Sequence, residues 1–138
     1  MNKKILSFLD KFRTLRVIAD PNDDTITFTP VMCRRTHVFD KEKAEMLVFR
    51  TAEDNTYNFC FAEDVPNLQE NAATYTLQYN TQYYTVGFHC PMPTVNRIFY
   101  DYGLPIEPRK LRVTIHTAGN GLIFYKMHPN RSLPYRFK

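Results

Sequence analysis

Lys110-Leu111-Arg112-Val113-Thr114-Ile115-His116-Thr117, then Ala118-Gly119-Asn120-Gly121, then Leu122-Ile123-Phe124-Tyr125-Lys126-Met127 reads as two strands around a turn. Leu111, Val113 and Ile115 alternate with Arg112, Thr114 and His116, the period of a half-buried strand. Asn120-Gly121 is the preferred pair for a type I′ turn, but that register sets Ile115 opposite Lys126. Centring the turn one residue earlier sets Ile115 opposite Phe124 and Thr117 opposite Leu122, which matches the apolar faces better. Turn chemistry and facing conflict, so a bulged or longer turn is expected.

Upstream, the same two-residue rhythm recurs in pairs. Residues 14–19 and 25–29 flank the turn-rich Pro21-Asn22-Asp23-Asp24, with Ile26 and Phe28 on one face and Pro30 ending the second strand or placing it at an edge. Residues 31–38, which hold Arg34, Arg35 and His37, read as an edge strand or a long loop. Asp40 is placed to cap a helical turn through residues 41–44. Residues 45–50 read as a strand rather than a helix, although Ala44, Leu47 and Val48 share a helical face. Residues 56–61 form a strand whose face of Tyr57, Phe59 and Phe61 is wholly aromatic and is expected to face the core. Residues 65–73, interrupted by Pro66, have room for one helical turn, and residues 75–79 and 82–89 make a further hairpin around Asn80-Thr81.

Helical spacing is clear in one place. Val95, Ile98, Phe99 and Tyr102 fall at i, i+3, i+4 and i+7 and predict a helix over residues 94–102. Pro93 or Thr94 stands at its entrance and Gly103 just past its exit, while Pro105 and Pro108 prevent continuation. The sum is an α+β chain, predominantly antiparallel β. Seven or eight strands are expected in a hairpin-rich curved sheet or partly open barrel, with the 94–102 helix plugging one side or end. A two-sheet sandwich is the alternative. At 138 residues the chain fits a single domain over residues 1–138. Ile5, Phe8, Leu9 and Phe12 form a helical stripe rimmed by Lys3, Lys4, Lys11 and Arg13, which predicts a peripheral amphipathic helix over residues 1–12. Pro129 and Pro134 make residues 129–138 an extended tail.

Composition removes several classes. With 43% hydrophobic and 14% aromatic residues, the chain can build a core, which excludes wholesale disorder and collagen-like repeats. No window approaches 18 consecutive apolar residues, so no transmembrane helix is expected. The N-terminal apolar run is broken by Asp10 and Lys11 before any cleavage site, unlike an export signal. Cys33, Cys60 and Cys90 are odd in number and contain no CxxC, which favours a reducing compartment and a cytoplasmic location.

Catalytic signatures fail in turn. The four glycines, Gly87, Gly103, Gly119 and Gly121, assemble neither GxGxxG nor a P-loop. Ser7 and Ser132 are the only serines, and neither lies in a Gly-x-Ser-x-Gly elbow. His37 lies four residues past Cys33, and His116 and His128 are 12 apart; neither spacing is a recognised metal-ligand pattern, so no metal and no cofactor are expected. Asp23-Asp24, Glu53-Asp54 and Glu63-Asp64 read as solvated turn acids. Cys60, between Phe59 and Phe61, is expected to be buried or half-buried, whereas Cys90, before Pro91, opens a loop and is expected to be the most accessible of the three thiols. His116 and Cys90 are the candidate lining of a pocket in the curved sheet. These observations lean against an enzyme.

Charge is uneven along the chain. The net +4 combines +3 over residues 1–50, −5 over residues 51–96, which hold no Lys or Arg, and +6 over residues 97–138. Arg109, Lys110, Arg112, Lys126 and Arg131, with Arg136 and Lys138 behind them, are candidates for an anionic partner. Tyr79, Tyr83, Tyr84 and Tyr125 are candidates for an aromatic interaction surface. The leading expectation is a non-enzymatic protein-interaction or assembly module, partnered by another protein or by itself. The alternatives are a nucleic-acid-binding domain using the same basic hairpin, and a small-molecule binder or pocket enzyme in the curved sheet.

Overall fold

A computed structural model describes residues 13–41, 44–70, 72–80 and 85–135. The expected N-terminal helix of residues 1–12, part of the 41–44 turn, Tyr83, Tyr84 and residues 136–138 lie outside these. In chain order the elements are β1 (Leu15–Asp20), β2 (Thr25–Phe28), helix α1 (Pro30–Thr36), β3 (Glu45–Thr51), β4 (Thr56–Phe61), β5 (Tyr75–Thr76), β6 (Gln78–Asn80), β7 (Thr85–His89), helix α2 (Val95–Tyr102), β8 (Arg109–Thr117) and β9 (Ile123–Pro134). The strands form one antiparallel sheet in the order β5-β3-β4-β9-β8-β1-β2-β7-β6. It is a single sheet nearly closed into a barrel with one open seam, not a two-sheet sandwich.

The curling follows from the period of the strands. One face of each contributes apolar side chains: Leu15, Val17 and Ala19 from β1, Ile26 and Phe28 from β2, Tyr57, Phe59 and Phe61 from β4, all buried. Phe28 and Phe59 sit on strands separated in the sheet by β9, β8 and β1, yet their ring centroids are 5.6 Å apart. Phe59 also meets Phe88 of β7 at 6.2 Å and stacks on Tyr125 of β9 at 5.3 Å. Such contacts require a sheet rolled around an aromatic centre. At the seam, Tyr75 pairs with Met46 of β3 while Gln78 pairs with Gly87 of β7, so one short segment bonds to both sides of the opening.

Several local expectations change. Residues 31–38 are neither strand nor loop, because α1 starts at Pro30. Thr29 caps it, accepting from the Met32 N–H at 3.3 Å and donating to the Arg16 carbonyl at 2.9 Å. Pro30 therefore both ends β2 and opens a helix whose Met32, Cys33 and Thr36 are buried. A 3-10 turn at Val38–Asp40 ends at Asp40 rather than starting there, and another occupies Ala62–Asp64, earlier than the expected turn in residues 65–73. The terminal hairpin adopts neither register considered above. Ile115 faces Tyr125 and Thr117 faces Ile123. Gly119-Asn120-Gly121 form a three-residue loop closed by Ala118 N–H to the Leu122 carbonyl at 2.8 Å, with Gly121 at φ +87. Residues 129–134 continue β9 after an irregularity, where Arg112 pairs with His128 but Lys110 pairs with Leu133.

Helix α2 begins at a Thr94 cap and stops at Gly103 in the left-handed region, as its sequence signals require. Val95, Ile98 and Phe99 are buried against the barrel. Tyr102 fastens its last turn: its hydroxyl donates to the Met127 carbonyl at 2.6 Å and accepts from the Tyr57 N–H at 2.7 Å. Tyr57 in turn donates its hydroxyl proton to the Asp101 carboxylate.

Candidate anion-binding face

Because Leu111 and Val113 face inward, β8 presents Lys110, Arg112, Thr114 and His116 on the outside of the barrel. By the same alternation β1 presents Arg16 and Ile18, and β9 presents Lys126 and His128. Pairing then sets Arg16 directly opposite Arg112, and Arg112 directly opposite His128. Directly opposed residues have Cβ atoms about 5 Å apart, a distance at which like charges repel. Both guanidinium Nε atoms are buried without a hydrogen-bond partner. Among the described residues no carboxylate pairs with either arginine.

Next to this row, a single hydroxyl joins two imidazoles. Thr114 Oγ1 lies 2.7 Å from His116 Nε2 and 2.6 Å from His128 Nε2. One hydroxyl carries one proton, so with both rings neutral it donates to one and accepts from the other, and the two rings hold opposite tautomers. Burial pushes His128 below the ordinary histidine value, and Arg112, Lys126 and His116 add to that, with Asp54 opposing. His116 is stacked on Phe124 with centroids 5.4 Å apart.

On the same outer face, a groove of about 420 Å³ opens beside Arg16. Arg16 and Lys110 supply cations to its wall, Ile18, Pro30 and Val31 supply apolar surface, and Tyr135 supplies an aromatic ring. Lys110 Nζ sits 5.7 Å from the centroid of that ring.

The residues singled out from the sequence divide into several groups. Lys110, Arg112 and His116 share the outer face. Arg109 does not join them, because its guanidinium is held by Glu107 at 2.9 Å and by Ser132 Oγ at 2.9 Å. Lys126 is on that face but is paired with Asp54, and its hydrogen bond together with those of Thr51 and Thr56 holds the Asp54 carboxyl well below the usual carboxylate range. Arg131 is exposed in the irregular part of β9, with φ +61.

Two assignments are overturned. Tyr125 is not part of an aromatic surface. It is only 6% exposed, because facing Ile115 turns it into the barrel against Phe59 and Phe61. Cys90 is not an accessible thiol: it is 0% exposed, its Sγ lies 3.0 Å from the Pro93 carbonyl, and burial pushes it up to about 12. The groove includes neither Cys90 nor His116. Cys60 is buried as expected. Tyr79 is 45% exposed and contacts Phe39 at 5.7 Å.

Arg16 and the role of His128 were missed. Alternation in β1 already places Arg16 outside, but its meeting with Arg112 depends on a pairing across nearly a hundred residues of chain. Among the described residues no group of three or more His, Cys, Asp or Glu is gathered to hold a metal ion, and no helix is long and apolar enough to cross a membrane. The chain matches no protein-family model, no curated protein and no solved structure.

Proposed function

We propose that the protein binds nucleic acid through its phosphates, on the outer face formed by β9, β8 and β1. The observation that carries this reading is the opposed pair Arg16 and Arg112, two like charges that no carboxylate among the described residues neutralises. Folding sets two like charges together at a cost, and a phosphate between them turns that cost into attraction through charge-assisted hydrogen bonds. Lys110 and His116 extend the row along β8 over seven residues, about 20 Å of strand, a length better matched to a polymer of phosphates than to one small anion. The test is titration of labelled single-stranded and duplex oligonucleotides at two salt concentrations. Binding at low salt that weakens steeply as salt rises is expected. Absence of binding to either at low salt would remove the reading.

One observation favours a second reading, docking of another protein or a second copy. Phe39 is 63% exposed and lies against the exposed Tyr79, a small aromatic patch away from the arginine pair. Light scattering tests self-association directly: a dimer dissociated by Phe39→Asp would support it, and a monomer at high concentration would count against it.

A further inference from the structure

The groove beside Arg16 joins three kinds of surface. Arg16 and Lys110 place positive charge on its wall. Ile18 and Val31 give it apolar surface, and Tyr135 gives it a flat ring. Thr14, Thr27 and Thr85 add hydroxyls that make no hydrogen bond among the described residues, unlike that of Thr29, which is committed to capping α1. On β7, Gly87 stands opposite Thr27, so no side chain rises there to cover the opening. A Cβ at that position would come within 2.8 Å of the Ile26 carbonyl.

A ligand that satisfies all three is planar and apolar on its faces, polar at its edges and attached to an anion. We infer that the groove takes one base of a single-stranded nucleic acid, while Arg16, shared between groove and arginine row, holds an adjoining phosphate. This rests on the phosphate-binding reading and sharpens it. The partner is single-stranded, because a base within a duplex is stacked and paired and does not reach a groove on a protein wall. Contact with the flat faces of a base is indifferent to which base it is, so the preference is for bases over bare backbone rather than for a sequence.

The experiment compares a thymidine oligomer with an abasic deoxyribose-phosphate oligomer of the same length. Affinity is measured by anisotropy, and methyl shifts of Ile18 and Val31 are followed by NMR. The base-bearing oligomer is expected to bind about tenfold more tightly and to shift both methyl signals, whereas the abasic oligomer leaves them in place. Val31→Gln, which replaces apolar wall by a polar chain and adds no stacking ring, is expected to shrink the difference between the two oligomers. Equal affinities with unmoved methyl signals would overturn the groove assignment and leave the phosphate reading intact. A preference for bases that survives Val31→Gln undiminished in a folded protein would also overturn it, since the bases would then be held elsewhere. Failure of both oligomers to bind would remove the phosphate reading and the groove assignment together.

Discussion

Two arginines held opposite each other on antiparallel strands repel, and Arg16 and Arg112 are so held with no acid pairing with either among the described residues. Arg16→Gln is therefore expected to raise stability by about 0.5 kcal/mol while weakening oligonucleotide binding, the signature of a site kept for function. Urea denaturation and a binding titration on the same variant check both halves; lower stability with unchanged binding would contradict the assignment. His128 gives a pH test. Its folded value is depressed by burial first and then by Arg112, Lys126 and His116, against Asp54. As pH falls through the ordinary value of 6.5, the unfolded chain takes up the proton before the folded protein does. The contribution of His128 is thus present in full above that value and is lost as pH falls to the depressed folded value. His128→Gln is expected to flatten the fall in stability between pH 7.5 and 5.5, measured by urea midpoints, and an unchanged profile would refute it. Phosphate beside Arg112 screens the repulsion, so binding should be accompanied by proton uptake at this ring.

At the scale of elements, helix α2 shows what a sequence makes legible. Thr94, Gly103 and the spacing of Val95, Ile98, Phe99 and Tyr102 carry its limits locally, and the structure reproduces them. What they do not carry is the job of the Tyr102 hydroxyl, which satisfies a donor on β4 and an acceptor on β9. Tyr102→Phe leaves both backbone groups unpaired and is expected to cost about 1–3 kcal/mol, with faster amide exchange at Tyr57; a loss well under that would mean water replaces the hydroxyl. Helix α1 was hidden because Pro30 has two meanings, and seven residues with a weak apolar stripe could not distinguish them. The hairpin of β8 and β9 was evident from alternation, but its register lay midway between the two considered, since a loop with Gly121 in the left-handed region adds one residue. Tyr125 was misplaced for that reason: the register that put Ile115 opposite Phe124 turned Tyr125 outward. The candidate site was half visible. Lys110, Arg112 and His116 follow from the period of one strand, whereas Arg16 joins them only through sheet closure, and the acids that occupy Arg109 and Lys126 come from a neighbouring turn and from a distant hairpin.

For the whole molecule, the net charge of +4 conceals how the fold distributes it. Rolling the sheet brings β1, from the +3 segment, against β8, from the +6 segment, while Asp54, from the acidic middle, neutralises Lys126. The partner-facing charge is thereby concentrated on Arg16 and Arg112 rather than spread along the terminal hairpin. The aromatic interior that forces this closure also removes Tyr125 from the surface, so core and candidate site are consequences of the same rolling. The most direct measurement is the dependence of single-stranded oligonucleotide affinity on salt, for the wild type and for Arg16→Ala/Arg112→Ala. If each arginine neutralises one phosphate, the double variant should bind more weakly at every salt concentration, with a log–log slope shallower by about 1.4. A folded double variant whose affinity and slope equal those of the wild type would contradict the account.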